Sequence, residues 1–111
     1  MLRVIIESPY AGDVERNVAY AKLCLKDSLM RNEAPILSHL LHTQVLDDKN
    51  PKERKIGIDA GLAWVCVADK QIFYIDYGMS KGMTDAMTFA LDHNIEFEVR
   101  EILSKQINSF F

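Results

Sequence analysis

The sequence predicts an α/β fold of the three-layer Rossmann-like or flavodoxin-like kind, with about four parallel strands flanked by helices. Three observations lead there. Short apolar runs, such as Val4-Ile5-Ile6 and Ile72-Phe73-Tyr74-Ile75, alternate with longer stretches whose apolar residues recur every three or four positions. The links between them are short, and strands that alternate with helices in this way pair in parallel. Two of the runs end in an acid followed by a turn of small and polar residues, Glu7-Ser8-Pro9-Tyr10-Ala11-Gly12 and Asp76-Tyr77-Gly78-Met79-Ser80-Lys81-Gly82. Turns at the carboxyl ends of parallel strands are where such sheets bind ligands.

Residues 3–7 form the first strand, buried on both faces. Asp13 caps a helix reaching about residue 32, with Val14, Val18, Ala21, Leu25 and Leu29 along its inner face. Residues 34–38 make a short second strand, which Pro35 confines to a sheet edge or a strand start. Residues 39–49 are a connection, polar toward its end. Asn50-Pro51-Lys52-Glu53 then starts a helix: Asn50 caps, Pro51 takes the first helical position, and Glu53 reaches back as in a capping box. That helix extends to about residue 68, and Trp64, in an apolar helical context, is expected in the core. The third strand occupies residues 71–76. Ser80 caps a helix with the stripe Met83, Ala86, Met87, Ala90 and Leu91, and Asn94 ends it in a left-handed conformation. Residues 95–99 are a fourth strand, and a last short helix is expected from residue 101.

A chain of 111 residues holds one domain and one core. With 49% hydrophobic and 26% charged residues it is too apolar to be disordered. The formal net charge of −3 argues against a binder of nucleic-acid backbones, which presents a basic face. A small phosphorylated ligand is still compatible with it, because a few N–H groups and one lysine can hold a phosphate. Cys24 and Cys66 form no CxxC and read as reduced, buried small hydrophobes. No secretory leader is read at the N-terminus, and no run approaches the ~20 apolar residues of a membrane span, so a cytoplasmic protein is expected.

The two strand-end turns supply the candidate site. Asp76 binds a ribose hydroxyl or moves a proton, or else caps its own turn. Gly78, Ser80, Gly82 and Met83 hold a phosphate or ribose at the helix start, where free N–H groups favour anions, or form a plain helix cap. Ser8, Pro9 and Tyr10 would line the opposite wall, with Tyr10 stacking on a base or bonding through its hydroxyl. His39 and His42, three apart, could share a helical face, but no third ligand is near and no metal is expected. His39 can instead touch a ligand at the end of the second strand or act as an acid or base. Glu7 is a further acid/base candidate, with a pKa that burial would raise; a surface-facing strand end is the alternative.

In their order and spacing, three pieces of this chain resemble the nucleoside 2-deoxyribosyltransferase-like group of small Rossmann-type domains, including related small domains often found in phages. They are the first strand with Ser8-Pro9-Tyr10-Ala11-Gly12, then Gly61-Leu62-Ala63-Trp64 with Asp69, and Gly78-Met79-Ser80-Lys81-Gly82-Met83. The resemblance spans roughly residues 2–100. It implies a covalent glycosyl-enzyme formed on a glutamate just after the glycine turn. Here the matching position is Ala86, which cannot do that chemistry. Asp85 is one residue away, about 100° around the helix. Asp76 matches a position that the resemblance associates with ligand hydroxyls or support of catalysis.

Two functions are expected from these readings. In the first, the domain binds a nucleoside, a nucleotide, or an NAD-derived or cyclic signalling nucleotide at the carboxyl edge of the sheet. In a phage protein, acting in the host cytoplasm, the resemblance implies an anti-defence role, sequestering an immune signal. In the second, an N-glycosidase or deoxyribosyltransferase cleaves a nucleoside or its monophosphate, with Asp85 or Glu7 as nucleophile or base and Asp76 as helper; paired carboxylates suit such a transition state. No cofactor, nucleic acid or membrane partner is expected. Members of the resembling group commonly assemble, so a homo-oligomer is expected.

Overall fold

The structure is a computed structural model and describes residues 1–103. Apart from its first residues, the short helix expected from residue 101 lies outside the described residues. The elements are β1 (Arg3–Glu7), α1 (Val14–Met30), β2 (Ala34–Ile36), α2 (Ser38–Leu41), a 3-10 turn (His42–Gln44), α3 (Pro51–Val65), β3 (Lys70–Tyr74), α4 (Lys81–Asp92) and β4 (Phe97–Arg100). All four strands are parallel, in the order β2-β1-β3-β4. This is the predicted α/β architecture, with β1 and β3 central and the direction of winding reversing between them.

Strand alternation divides the core between the two faces of the sheet. Val4 and Ile6 of β1 and Ile72 and Tyr74 of β3 join Tyr20, Ala21 and Cys24 of α1 on one face. Phe73 of β3 meets Met83 and Ala86 of α4 on the other, with Ile75, Met87 and Phe97 at its margin. β2 is an edge strand, as Pro35 requires.

The helix caps form as the sequence predicts. Asp13 accepts from the Arg16 N–H, Asn50 from those of Lys52 and Glu53, and Ser80 from that of Met83. Asn94 adopts φ of 53°, the left-handed stop after α4. Glu53, however, does not close a capping box. Its carboxylate takes the Asp47 N–H at 3.2 Å, tying down the preceding loop.

Other expectations are corrected. Residues 39–49 are not a plain connection but begin with α2 and the 3-10 turn. α3 stops at Val65, and β3 and β4 are displaced by one or two residues from their expected limits. The inner face of α1 is not the purely apolar one: Val14 and Leu29 are exposed, whereas Asn17, Tyr20 and Ser28 are buried with Ala21 and Cys24. Those polar groups have partners, Asn17 on the Tyr10 and Ala11 carbonyls, Tyr20 on Asp76 and Ser28 on Glu33, so burial follows hydrogen bonding as well as apolarity. Leu91 and Cys66 are exposed, and Trp64, expected in the core, is 60% exposed. α3 approaches α2 through Gly61, where a Cβ would stand 2.9 Å from Ser38 Oγ. The helix buries Gly61 and Val65, four apart on one line, and Trp64 lies on the flank of that line, toward solvent.

Candidate functional site

A cavity of about 260 Å³ lies between α2, α3 and the start of α4, at the carboxyl end of β1. Its position is set by topology, since the winding reverses beside β1. Its volume is at the small end for ligand pockets. Of the residues singled out from the sequence, Ser8, Tyr10, His39, Ser80, Gly82, Met83 and Asp85 line it, as do Glu7 and His42. Ala86 lines it too.

Asp76, Gly78 and Pro9 are not among the lining residues. For Asp76 the cause is strand parity. Ile72, Tyr74 and Asp76 point to the α1 face, whereas Glu7 lies on the opposite face with Gln71 and Phe73. The Asp76 carboxylate accepts from the Tyr20 hydroxyl at 2.5 Å and from the N–H groups of Ile102 and Leu103. Burial works against its charge, but these donors hold its pKa below the ordinary value. Gly78 serves the turn itself with φ of 81°, a conformation glycine adopts without strain.

Ser8 and His39 are joined across the cavity wall, Ser8 Oγ to His39 Nε2 at 2.7 Å. His39 Nδ1 is buried and has no partner. A bare ring nitrogen left unpaired costs less than a buried N–H left unpaired, which loses its donor bond to water. The tautomer carrying its proton on Nε2 is therefore favoured, and His39 donates to Ser8. The Ser8 hydroxyl hydrogen is then free to point at a ligand acceptor, and Ser8 is not activated as a nucleophile. Burial pushes the His39 pKa down to about 4, so the ring is neutral at pH 7.

Glu7 shows the opposite shift. Loss of solvent raises its pKa to about 7, against the pull of a 3.0 Å hydrogen bond from Gln71 Nε2. Gln71 is fully buried, and its Oε1 has no partner. The lining cations are already committed. Arg54 bonds both oxygens of Asp48 at 3.0 Å, and Lys81 pairs with Asp85 at 2.9 Å. Asp85 is solvent-exposed at the rim. His39 and His42 both face the cavity, but no group of three or more His, Cys, Asp or Glu among the described residues is placed to hold a metal ion.

Sequence reading missed Gln71, Arg54 and Gly57. A polar residue inside an apolar strand run was the available signal for Gln71. Gly57 and Gly61, one helical turn apart, marked a close approach on α3. Arg54 carried no signal, because its partner Asp48 is fixed only by the loop's path.

The family model described as "Domain of unknown function (DUF7768)" matches residues 2–100. No curated protein and no solved structure matches the chain. No helix among the described residues is long and apolar enough to cross a membrane.

Proposed function

The chain belongs to this DUF7768 family, and from the geometry of its site we propose that it binds a small nucleoside- or nucleotide-type ligand in the cavity beside β1. The observation that carries the reading is the convergence on one small cavity of two walls, Ser8 and Tyr10 from the β1 turn and Ser80, Gly82 and Met83 from the start of α4. A free Ser8 hydroxyl hydrogen, an aromatic ring and a helix N-terminus are groups that suit a ribose and a base. The resemblance to the nucleoside 2-deoxyribosyltransferase-like group supports the same ligand class. A sequestering role, which the resemblance implies for a phage-encoded protein, belongs to this proposal, with the ligand left intact.

A second reading, cleavage of an N-glycosidic bond, is favoured by one observation: the carboxyls of Glu7 and Asp85 both line the cavity although Ala86 replaces the glutamate. A homo-oligomer is supported by Ile56, Trp64 and Val67, exposed along α3 and just beyond it. The test is calorimetry with nucleosides, their monophosphates, ADP-ribose and cyclic nucleotides, each ligand recovered and chromatographed, and the protein's mass taken by light scattering. Intact ligand bound at or below ~1 μM is the expected result. Recovered free base would transfer the reading to a glycosidase, no binding across the panel would overturn both, and a single-chain mass would remove the oligomer.

A further inference from the structure

Gln71 poses a specific question. Its Nε2 donates to Glu7 Oε1 at 3.0 Å, yet its own Oε1 is buried without a partner. Buried carbonyl oxygens in folded proteins nearly always accept a hydrogen bond. An ionised Glu7 has no donor to offer, whereas a protonated one has an O–H. A carboxylic acid facing a carboxamide can form two hydrogen bonds with it, N–H to C=O and O–H to C=O. Protonation of Glu7 thus supplies the donor that Gln71 lacks.

The surroundings favour the same state. Besides Gln71 of β3, the charged and titratable groups that line the cavity with Glu7 are Tyr10 of the β1 turn, His39 of α2, His42 of the 3-10 turn, Asp48 of the loop before α3, Glu53 and Arg54 of α3, and Lys81 and Asp85 of α4. Arg54 is held by Asp48 and Lys81 by Asp85. His39 is neutral. With Glu7 protonated, the lining carboxylates Asp48, Glu53 and Asp85 still outnumber the lining cations Arg54 and Lys81 by three to two. A phosphate would add negative charge to a cavity that already has an excess of it.

We infer that Glu7 stands in the cavity as a neutral carboxylic acid, its proton shared between the Gln71 carboxamide oxygen and a ligand acceptor, and that the site, where the remaining carboxylates outnumber the cations, selects an uncharged nucleoside over a phosphorylated one. The selectivity rests on the nucleoside reading above; the state of Glu7 does not. Desolvation, which moves the Glu7 pKa to about 7, agrees with it.

The first measurement uses the full chain without ligand. Carbon-13 NMR follows the Glu7 carboxyl and nitrogen-15 NMR the Gln71 side-chain amide from pH 4 to 9, with Glu7→Gln for assignment. The Glu7 carbon should titrate near pH 7, and the Gln71 amide should move with the same midpoint. A midpoint in the usual carboxylate range, or a Gln71 amide that does not respond, overturns the neutral acid whatever the protein binds. The second measurement is calorimetry with adenosine, thymidine and their monophosphates. Nucleoside affinity should fall about tenfold between pH 6 and pH 8, as the protonated fraction falls, and Glu7→Gln should abolish that dependence. Tighter binding of the monophosphates overturns the selectivity. Absence of binding by all four overturns the selectivity together with the nucleoside reading, while the NMR titration still decides the state of Glu7.

Discussion

Two aspartates nine residues apart, Asp76 after β3 and Asp85 in α4, carry opposite weight. Asp76 gathers the Tyr20 hydroxyl and two backbone N–H groups, so it ties α1 and the segment after β4 to the turn that follows β3. Asp76→Ala should lower stability by about 3 kcal/mol, the scale of losing hydrogen bonds to a charged acceptor and leaving their donors unpaired. Asp85 makes an exposed pair with Lys81, and Asp85→Ala should change stability by less than about 0.5 kcal/mol. Urea unfolding of both variants checks the contrast, and similar midpoints would overturn it. Ligand binding should respond in the reverse order if Asp85 at the rim contacts what the cavity holds.

Among the elements, α3 is the one whose placement depends on the absence of a side chain. A Cβ at Gly61 would lie 2.9 Å from Ser38 Oγ and 3.4 Å from Ser38 Cβ. In an unconstrained helix interior, glycine to alanine stabilises by up to about 1 kcal/mol. Here Gly61→Ala should destabilise by about 2 kcal/mol, because the small-to-large change forces α3 away from α2. Adding Ser38→Gly, which removes both contacting atoms, should recover most of that loss. Thermal or urea unfolding measures it, and a stabilised Gly61→Ala protein would show that α3 does not sit this close. The cavity wall formed by α2 and α3 depends on the same contact.

For the molecule as a whole, two buried titratable groups act in opposition. The His39 pKa falls from 6.5 to about 4 on folding, so below pH 6.5 the unfolded chain binds a proton that the folded one refuses, and stability is lost as pH falls toward 4. The Glu7 pKa rises from 4.5 to about 7, so its contribution is full below pH 4.5 and is lost as pH rises through 7. Between about pH 4.5 and 6.5 the two slopes cancel, and stability should be nearly flat. Glu7→Gln should uncover the histidine, with stability rising by about 1.4 kcal/mol per pH unit over that window. His39→Gln should uncover the glutamate, with a slope of opposite sign. Below pH 4.5 a separate loss begins. Arg100 holds Glu33 below its ordinary pKa, and Arg100 with Lys70 holds Glu98 at about 2, so protonating these carboxylates removes the stability they contribute. Denaturation at stepped pH reads all three profiles; a wild-type slope as steep as either variant's would refute the cancellation.

Much of the frame is legible from local chemistry. Strand runs of apolar residues, the caps Asp13, Asn50 and Ser80, Pro35 at an edge and the left-handed Asn94 each act over a few residues, so the sequence alone discloses them. What it does not disclose depends on which faces meet. Parity separates Glu7 from Asp76, but the cavity could be assigned to the side of Glu7 only once α3 and α4 were packed there. The line of α3 that is buried, through Gly61 and Val65 and not through Trp64, is set by a contact with a residue 23 positions before Gly61. The Ser8–His39 and Glu7–Gln71 pairs, 31 and 64 residues apart in the chain, exist because parallel pairing sets β1 between β2 and β3. Hydrogen-bonding capacity is written in each residue type, but the partner that satisfies it, or fails to, is set by the folded chain.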